Sequence, residues 1–245
     1  MPQPPSDNLP VAVRPLVCDW DGSSVKPGPS GNALVWRDVL REVDGLADPI
    51  VLNRRLGELL PAAATACIAA VLADGEKPLL LGGDHRLSYC ALTALAHYVG
   101  PVEVNLFDAH HDAHPGQTLS NFTVFRFAAE RLGLPVHRHG CREQGQHPPE
   151  SRVPPGTPLP HHAYVTIDLD YLDPAIFTSV SFPTPTPDGM VCTVDTLAEL
   201  VADVSCRLPV VGCDVVEWCA ERASNDEIDQ VSSILRTVLT AMAAE

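Results

Sequence analysis

The chain has 245 residues, 45% hydrophobic and 19% charged, with a formal net charge of -15. Such an acidic balance excludes the basic face that nucleic-acid binding needs, and no apolar run approaches the roughly 20 residues of a membrane span. The length suits one sizeable core and lies below the size at which chains divide, so a single domain over residues 1–245 is expected.

Met1 to Pro15 is broken by prolines and polar residues and has no long apolar stretch, unlike a secretory signal. Its end, Val11 to Val17, reads as the first strand, and the Gly/Pro/Ser-rich stretch Gly22 to Asn32 as a loop. A strand over Ile50 to Asn53 precedes an alanine-rich helix over Leu56 to Ala73. Strands then follow at Pro78 to Leu81, Val102 to Phe107 and Val136 to Cys141, separated by helices over Ser88 to Tyr98 and Phe122 to Leu132. Gln144 to Pro160 is proline-rich and polar, with neither period. Beyond it come a strand at Tyr164 to Leu169, a proline-rich loop at Phe177 to Met190, a helix over Val194 to Arg207, a strand at Val210 to Val216 and a helix over Asp226 to Ala244. This alternation predicts an α/β fold of three layers, α/β/α, around a mostly parallel central sheet. Eight cysteines without a Cys-x-x-Cys pair suit reduced thiols and a cytoplasmic location.

Three short acidic clusters end predicted strands: Gly82-Gly83-Asp84-His85, Asp108-Ala109-His110-His111-Asp112 and Asp168-Leu169-Asp170. Alternate residues of extended chain share a face, so Asp108, His110 and Asp112 converge, as do Asp168 and Asp170. If the strands are parallel, their carboxyl ends open on one edge of the sheet, where ligand sites of such folds lie. An isolated aspartate after a strand is usually a helix cap or turn residue; three clusters in this order point to metal binding. Asp108, Asp112, Asp168 and Asp170, pocketed with His85 and His110, repel one another unless cations are present. Two divalent ions balance the four carboxylates. Oxygen ligation with some imidazole suits Mn²⁺ better than structural zinc, and ions ~3.5–4 Å apart activate water at neutral pH.

These motifs resemble those of the ureohydrolases, the family of arginase, agmatinase and their relatives. That family reads approximately Gly-Gly-Asp-His-Ser, Asp-Ala-His-x-Asp and Ser-x-Asp-x-Asp-x-x-Asp-Pro, with counterparts here at Gly82 to Arg86, Asp108 to Asp112 and Thr166 to Pro174. The resemblance implies an arginase-like fold and two Mn²⁺ ions. It gives His85, Asp108, Asp112 and Asp168 to one ion, and Asp108, His110, Asp168 and Asp170 to the other. A late family element, Asp-Val-Val-Glu, is matched by Asp214-Val215-Val216-Glu217, which makes Glu217 the counterpart of the residue that holds the substrate guanidinium. The implied reaction is hydrolysis of the C-N bond of a guanidino compound with release of urea. A nucleophile activated between the ions attacks the guanidinium carbon, Asp112 orients it, and Glu217 pairs with the guanidinium nitrogens.

Departures from the pattern limit what is inherited. In Ser120-Asn121-Phe122-Thr123-Val124-Phe125, Asn121 stands where the family has a proton-shuttling histidine, and an amide does not shuttle protons near neutral pH. His111, His114 or water is left to supply the proton. His114 stands where arginases place an asparagine that helps hold the amino-acid end of the substrate, so both His114 and Asn121 are candidate substrate contacts. His111 fills the variable position of its motif and, in strand geometry, points away from the ligands. Trp218-Cys219-Ala220 replaces the usual Val-Asn-Pro and alters the pocket wall. The 144–160 interval takes the place of a strand-helix unit, and the Phe177 to Met190 loop either rims the pocket or is plain surface. Two other readings stay open: an amide deacetylase of the same fold using one zinc, and a catalytically silent metal-binding member. The expected partner is a small cationic guanidino substrate, with further copies of the chain optional and no nucleic acid or membrane.

Overall fold

The computed structural model describes residues 12–18, 33–41, 43, 46, 49–52, 60–143 and 159–244. Seven strands form one sheet in the order β2-β1-β3-β7-β6-β4-β5, and every pairing is parallel. They are β1 Val13–Cys18, β2 Ile50–Leu52, β3 Lys77–Leu81, β4 Glu103–Phe107, β5 Val136–His139, β6 Ala163–Asp168 and β7 Val210–Val216. The helices are α1 Ala33–Arg41, α2 Leu60–Ala73, α3 Arg86–Tyr98, α4 Val124–Leu132, α5 Val194–Arg207 and α6 Asn225–Ala243.

Period-two alternation sends successive strand residues to opposite faces. Val17, Leu79, Leu81, Phe107 and Ile167 pack with Trp36 and Val39 of α1, Val201 of α5 and Leu235 of α6. Leu16, Leu80, Leu106, Tyr164 and Val216 pack on the other face with Ile68 of α2, Leu92 of α3 and Phe125 of α4. Two cores flank one sheet, which is the expected three-layer architecture.

All seven expected strands form, with small shifts at their ends. β5 stops at His139 because Gly140 turns the chain at φ 81°, which leaves Cys141 outside the strand. Leu169 leaves β6 to begin a 3₁₀ turn over Leu169–Tyr171. Phe122 likewise belongs to a 3₁₀ turn, Asn121–Thr123, that precedes α4. Helix α1 has no counterpart in the sequence reading. The expected loop Gly22 to Asn32 and residues 144–158, with the proposed loss of a strand-helix unit there, lie outside the described residues.

Candidate metal centre

The acidic clusters follow β3, β4 and β6, and Glu217 follows β7; these four strands are neighbours in the order β3-β7-β6-β4. Parallel pairing puts all their carboxyl ends on one edge. At the end of β3, Gly82 and Gly83 take φ of 83° and 76°, a left-handed pair that glycine adopts without steric cost. The turn is pinned to β7 by Gly82 N–H donating to Val215 O at 2.9 Å and Glu217 N–H donating to Gly83 O at 3.0 Å. Asp112 and Glu217 are the two non-glycine residues in the left-handed region among those described, with φ 42° and 63°. Such strain tends to collect at functional positions.

His85, Asp108 and Asp168 present ligand atoms within 4.8 Å of one another, and so do Asp108, His110 and Asp170; Asp108 belongs to both groups. His85 Nδ1 lies 2.9 Å from Asp112 Oδ2, 3.4 Å from Asp108 Oδ2 and 3.5 Å from Asp168 Oδ2. His110 Nδ1 lies 2.9 Å from Asp170 Oδ2 and 3.4 Å from Asp108 Oδ1. The two imidazoles are held alike, each offering Nδ1 to the carboxylates and Nε2 to a threonine hydroxyl. His85 Nε2 is 3.0 Å from Thr166 Oγ1, and His110 Nε2 is 3.1 Å from Thr184 Oγ1. Because Thr166 spends its own proton on Asp214 Oδ1, 2.6 Å away, His85 Nε2 must donate to it. That fixes the ring and leaves Nδ1 turned toward the carboxylates, the arrangement that orients metal-binding histidines.

Burial and mutual charge dominate the electrostatics of the cluster. Burial, with Asp170 and Asp112 adding repulsion, pushes Asp108 up to about 8. Burial and the charges of Asp170 and Asp108 raise Asp168 well above the carboxylate range. Burial would raise Asp170 too, but the hydrogen bond and charge of His110 outweigh it and hold Asp170 below its ordinary value. Burial would lower His85, yet its bond to Asp112 and the nearby carboxylates carry it up to about 10. Against the same burial penalty, Asp108 and Asp170 raise His110 to about 11. Carboxylates packed this closely need positive charge beside them, which divalent ions would supply. Asp108 Oδ2 is buried without a hydrogen-bond partner, an oxygen suited to a cation. Oxygen donors in excess over two imidazoles fit a divalent ion of the Mn²⁺ kind, so the residues present fit the implied metals.

Glu217 closes one side. Its Oε1 accepts from His85 N–H at 3.1 Å, while Oε2 is buried and unpaired. Burial, then the charges of Asp84 and Asp112, raise its carboxyl well above the ordinary range. Trp218, which follows Glu217, is fully buried in the core, edge-on to Trp36 at 4.8 Å.

His111 and His114 meet at Glu143, a residue the sequence reading does not single out. Glu143 Oε2 is 3.2 Å from His111 Nε2, and Oε1 is 2.9 Å from His114 Nε2. His111 Nδ1 accepts from Ala113 N–H at 3.0 Å, so its neutral ring carries the proton on Nε2 and donates it to Glu143. His111 lies beyond the end of β4, groups with His114 and Glu143 and is buried. Asn121 is buried at the start of its 3₁₀ turn. The Phe177 to Met190 loop does rim the site, since Thr184 bonds His110 and Phe182 lies edge-on to Phe122 at 5.8 Å. Neither Thr184 nor Glu143 carries a local motif; only the proline-rich loop after the last cluster hints at Thr184.

A model of the arginase family matches residues 51–150 and 141–242. An agmatinase of Bacillus subtilis (strain 168) is 30% identical over 195 residues, covering 70% of this chain and 66% of that protein. An agmatinase of Halalkalibacterium halodurans is 31% identical over 169 residues, covering 60% of this chain and 57% of its own. The matched stretches thus span between half and two thirds of these relatives. Among solved structures, proclavaminate amidino hydrolase from Streptomyces clavuligerus has the same fold, with a TM-score of 0.77 at 20% identity over 96% of this chain and 92% of that one.

Proposed function

Because this chain belongs to the arginase family, we propose that it hydrolyses the C-N bond of a cationic guanidino compound and releases urea. The observation that carries this reading is Glu217, which holds the backbone N–H of His85 with one oxygen and keeps the other buried and unpaired. His85, Asp108, Asp112 and Asp168 would hold one Mn²⁺, and Asp108, His110, Asp168 and Asp170 the other. When bound, the ions supply a water nucleophile at neutral pH and Lewis-acid stabilisation of developing negative charge.

The chain's own residues do the rest. Glu217 would receive the guanidinium through charge-assisted hydrogen bonds and hold its carbon beside the carboxylate cluster. Asp112, strained at φ 42°, orients the attacking water. The leaving amine needs a proton that Asn121 does not supply, and the His111-Glu143-His114 group is the assembly offered for it; Asn121 and His114 contact the substrate's distal end. The reading takes residues 1–245 as one catalytic domain, working in a reducing cytoplasm with or without self-association. Agmatine is the first compound to test, since the two relatives are agmatinases.

The test is a urea-release screen across guanidino compounds after Mn²⁺ loading, with metal content measured on the same sample. Two ions per chain and urea from at least one compound are expected. Two ions with no urea from any compound would favour a silent metal-binding protein; one tightly held zinc with turnover of acetylated amines would favour a deacetylase.

A further inference from the structure

Arg142 is buried just beyond β5, and its guanidinium is spent on backbone oxygens. Nε donates to Thr184 O at 3.0 Å and Nη1 to Tyr171 O at 2.8 Å, while Nη2 donates to Asp170 O at 2.6 Å and Leu172 O at 3.0 Å. Its own backbone N–H donates to Ala109 O at 2.9 Å. Three separate segments are thereby tied to one residue: the turn after β4, the 3₁₀ turn after β6 and the loop that carries Thr184. The same segments build one cation group. Ala109 N–H donates to Asp170 Oδ1 at 3.1 Å, and His110 lies between Asp170 Oδ2 and Thr184 Oγ1 at 2.9 and 3.1 Å.

We infer that Arg142 is a positioning residue for one half of the centre, the half made by Asp108, His110 and Asp170. This rests on the two-ion reading above. The contacts are one-sided, because His85 is anchored elsewhere, through Thr166 and Asp214. The chemistry also requires arginine. A rigid fork of N–H donors spans carbonyls of two segments at once, whereas the single ammonium of lysine does not. Buried carbonyls left without donors would let the 3₁₀ turn drift and carry Asp170 away from His110.

The test is Mn²⁺ titration of the full chain by equilibrium dialysis, with electron paramagnetic resonance to tell a coupled ion pair from an isolated ion. In Arg142→Lys, the second ion should bind at least about 10-fold more weakly, with the first within about twofold and the coupled spectrum replaced by that of isolated Mn²⁺. A general loss of stability would weaken both ions together, and that result would overturn the proposal. So would two ions bound with the parent's affinities. If Arg142→Lys does not fold, Arg142→Gln decides: it keeps one side-chain amide donor and gives up the fork that spans the segments. Several-fold weaker binding of the second ion alone supports the proposal, and unchanged binding overturns it. A parent that takes up one ion only overturns the two-ion reading itself, so the two failures are read on different samples.

Discussion

Glu217 has one oxygen engaged by a backbone amide and one left bare in a buried setting, so its charged form is costly unless a cation pairs with it. Replacing it with glutamine preserves shape and removes the ionic partner. Glu217→Gln should keep its metal content yet lose about 2–5 kcal/mol of transition-state stabilisation toward a guanidinium substrate, read as kcat/KM in the urea assay. Normal turnover would make Glu217 a strand-end residue and remove the main support for the guanidino reading. Asp108 differs in kind, since it belongs to both cation groups while His110 belongs to one. Asp108→Asn should therefore lower occupancy of both ions, and His110→Ala mainly of one. Metal analysis after dialysis distinguishes these outcomes, and equal loss in the two variants would argue against a shared carboxylate.

At the scale of elements, Glu227 joins a helix to the rim of the site. It completes a capping box with Ser224 at the start of α6, taking Ser224 N–H at 2.8 Å, and it also accepts from Ser179 N–H at 3.1 Å and Thr178 Oγ1 at 3.0 Å. Burial opposes its ionised form, but these donors outweigh burial and hold its carboxyl below the ordinary value. A carboxyl depressed in the folded state contributes stability above its unfolded pKa and loses that contribution as pH falls through the folded one. Glu227→Gln should thus cost about 1–3 kcal/mol at neutral pH, and the gap to the parent should close in acid below the folded pKa. Denaturant titrations at several pH values check this; a pH-independent difference would mean that the hydrogen bonds act without the charge.

The strands could be read from the sequence because buried parallel strands leave short apolar runs ended by motif residues, as in Val102 to Phe107 before Asp108. Helix α1 is absent from that reading although Trp36, Val39, Leu40 and Val43, all buried, follow helical spacing. Nine residues beside a Gly/Pro-rich stretch make a weak signal. The candidate cation groups were legible because each cluster is contiguous and its residue types are chemically restrictive. Glu143, Thr184 and Arg142 were not, since they reach the site from loops through tertiary contact, and no local period marks them.

For the molecule as a whole, the sheet order separates space from sequence. The strands that deliver the cation groups and Glu217 are the central four, yet their pairing brings Leu79 against Cys213 and Asp168 against Val216. Contacts so distant along the chain form late, after much loop-closure entropy has been lost. The cation groups are therefore expected to be complete only late in folding. Ions held there would arrive after the rate-limiting step and act as a latch on the finished protein. Mn²⁺ should leave the refolding rate unchanged and slow unfolding, by about 100-fold when one site sees free ion at 100 times its Kd. Stopped-flow folding with and without Mn²⁺ measures both rates, and accelerated refolding would place part of the site in the transition state.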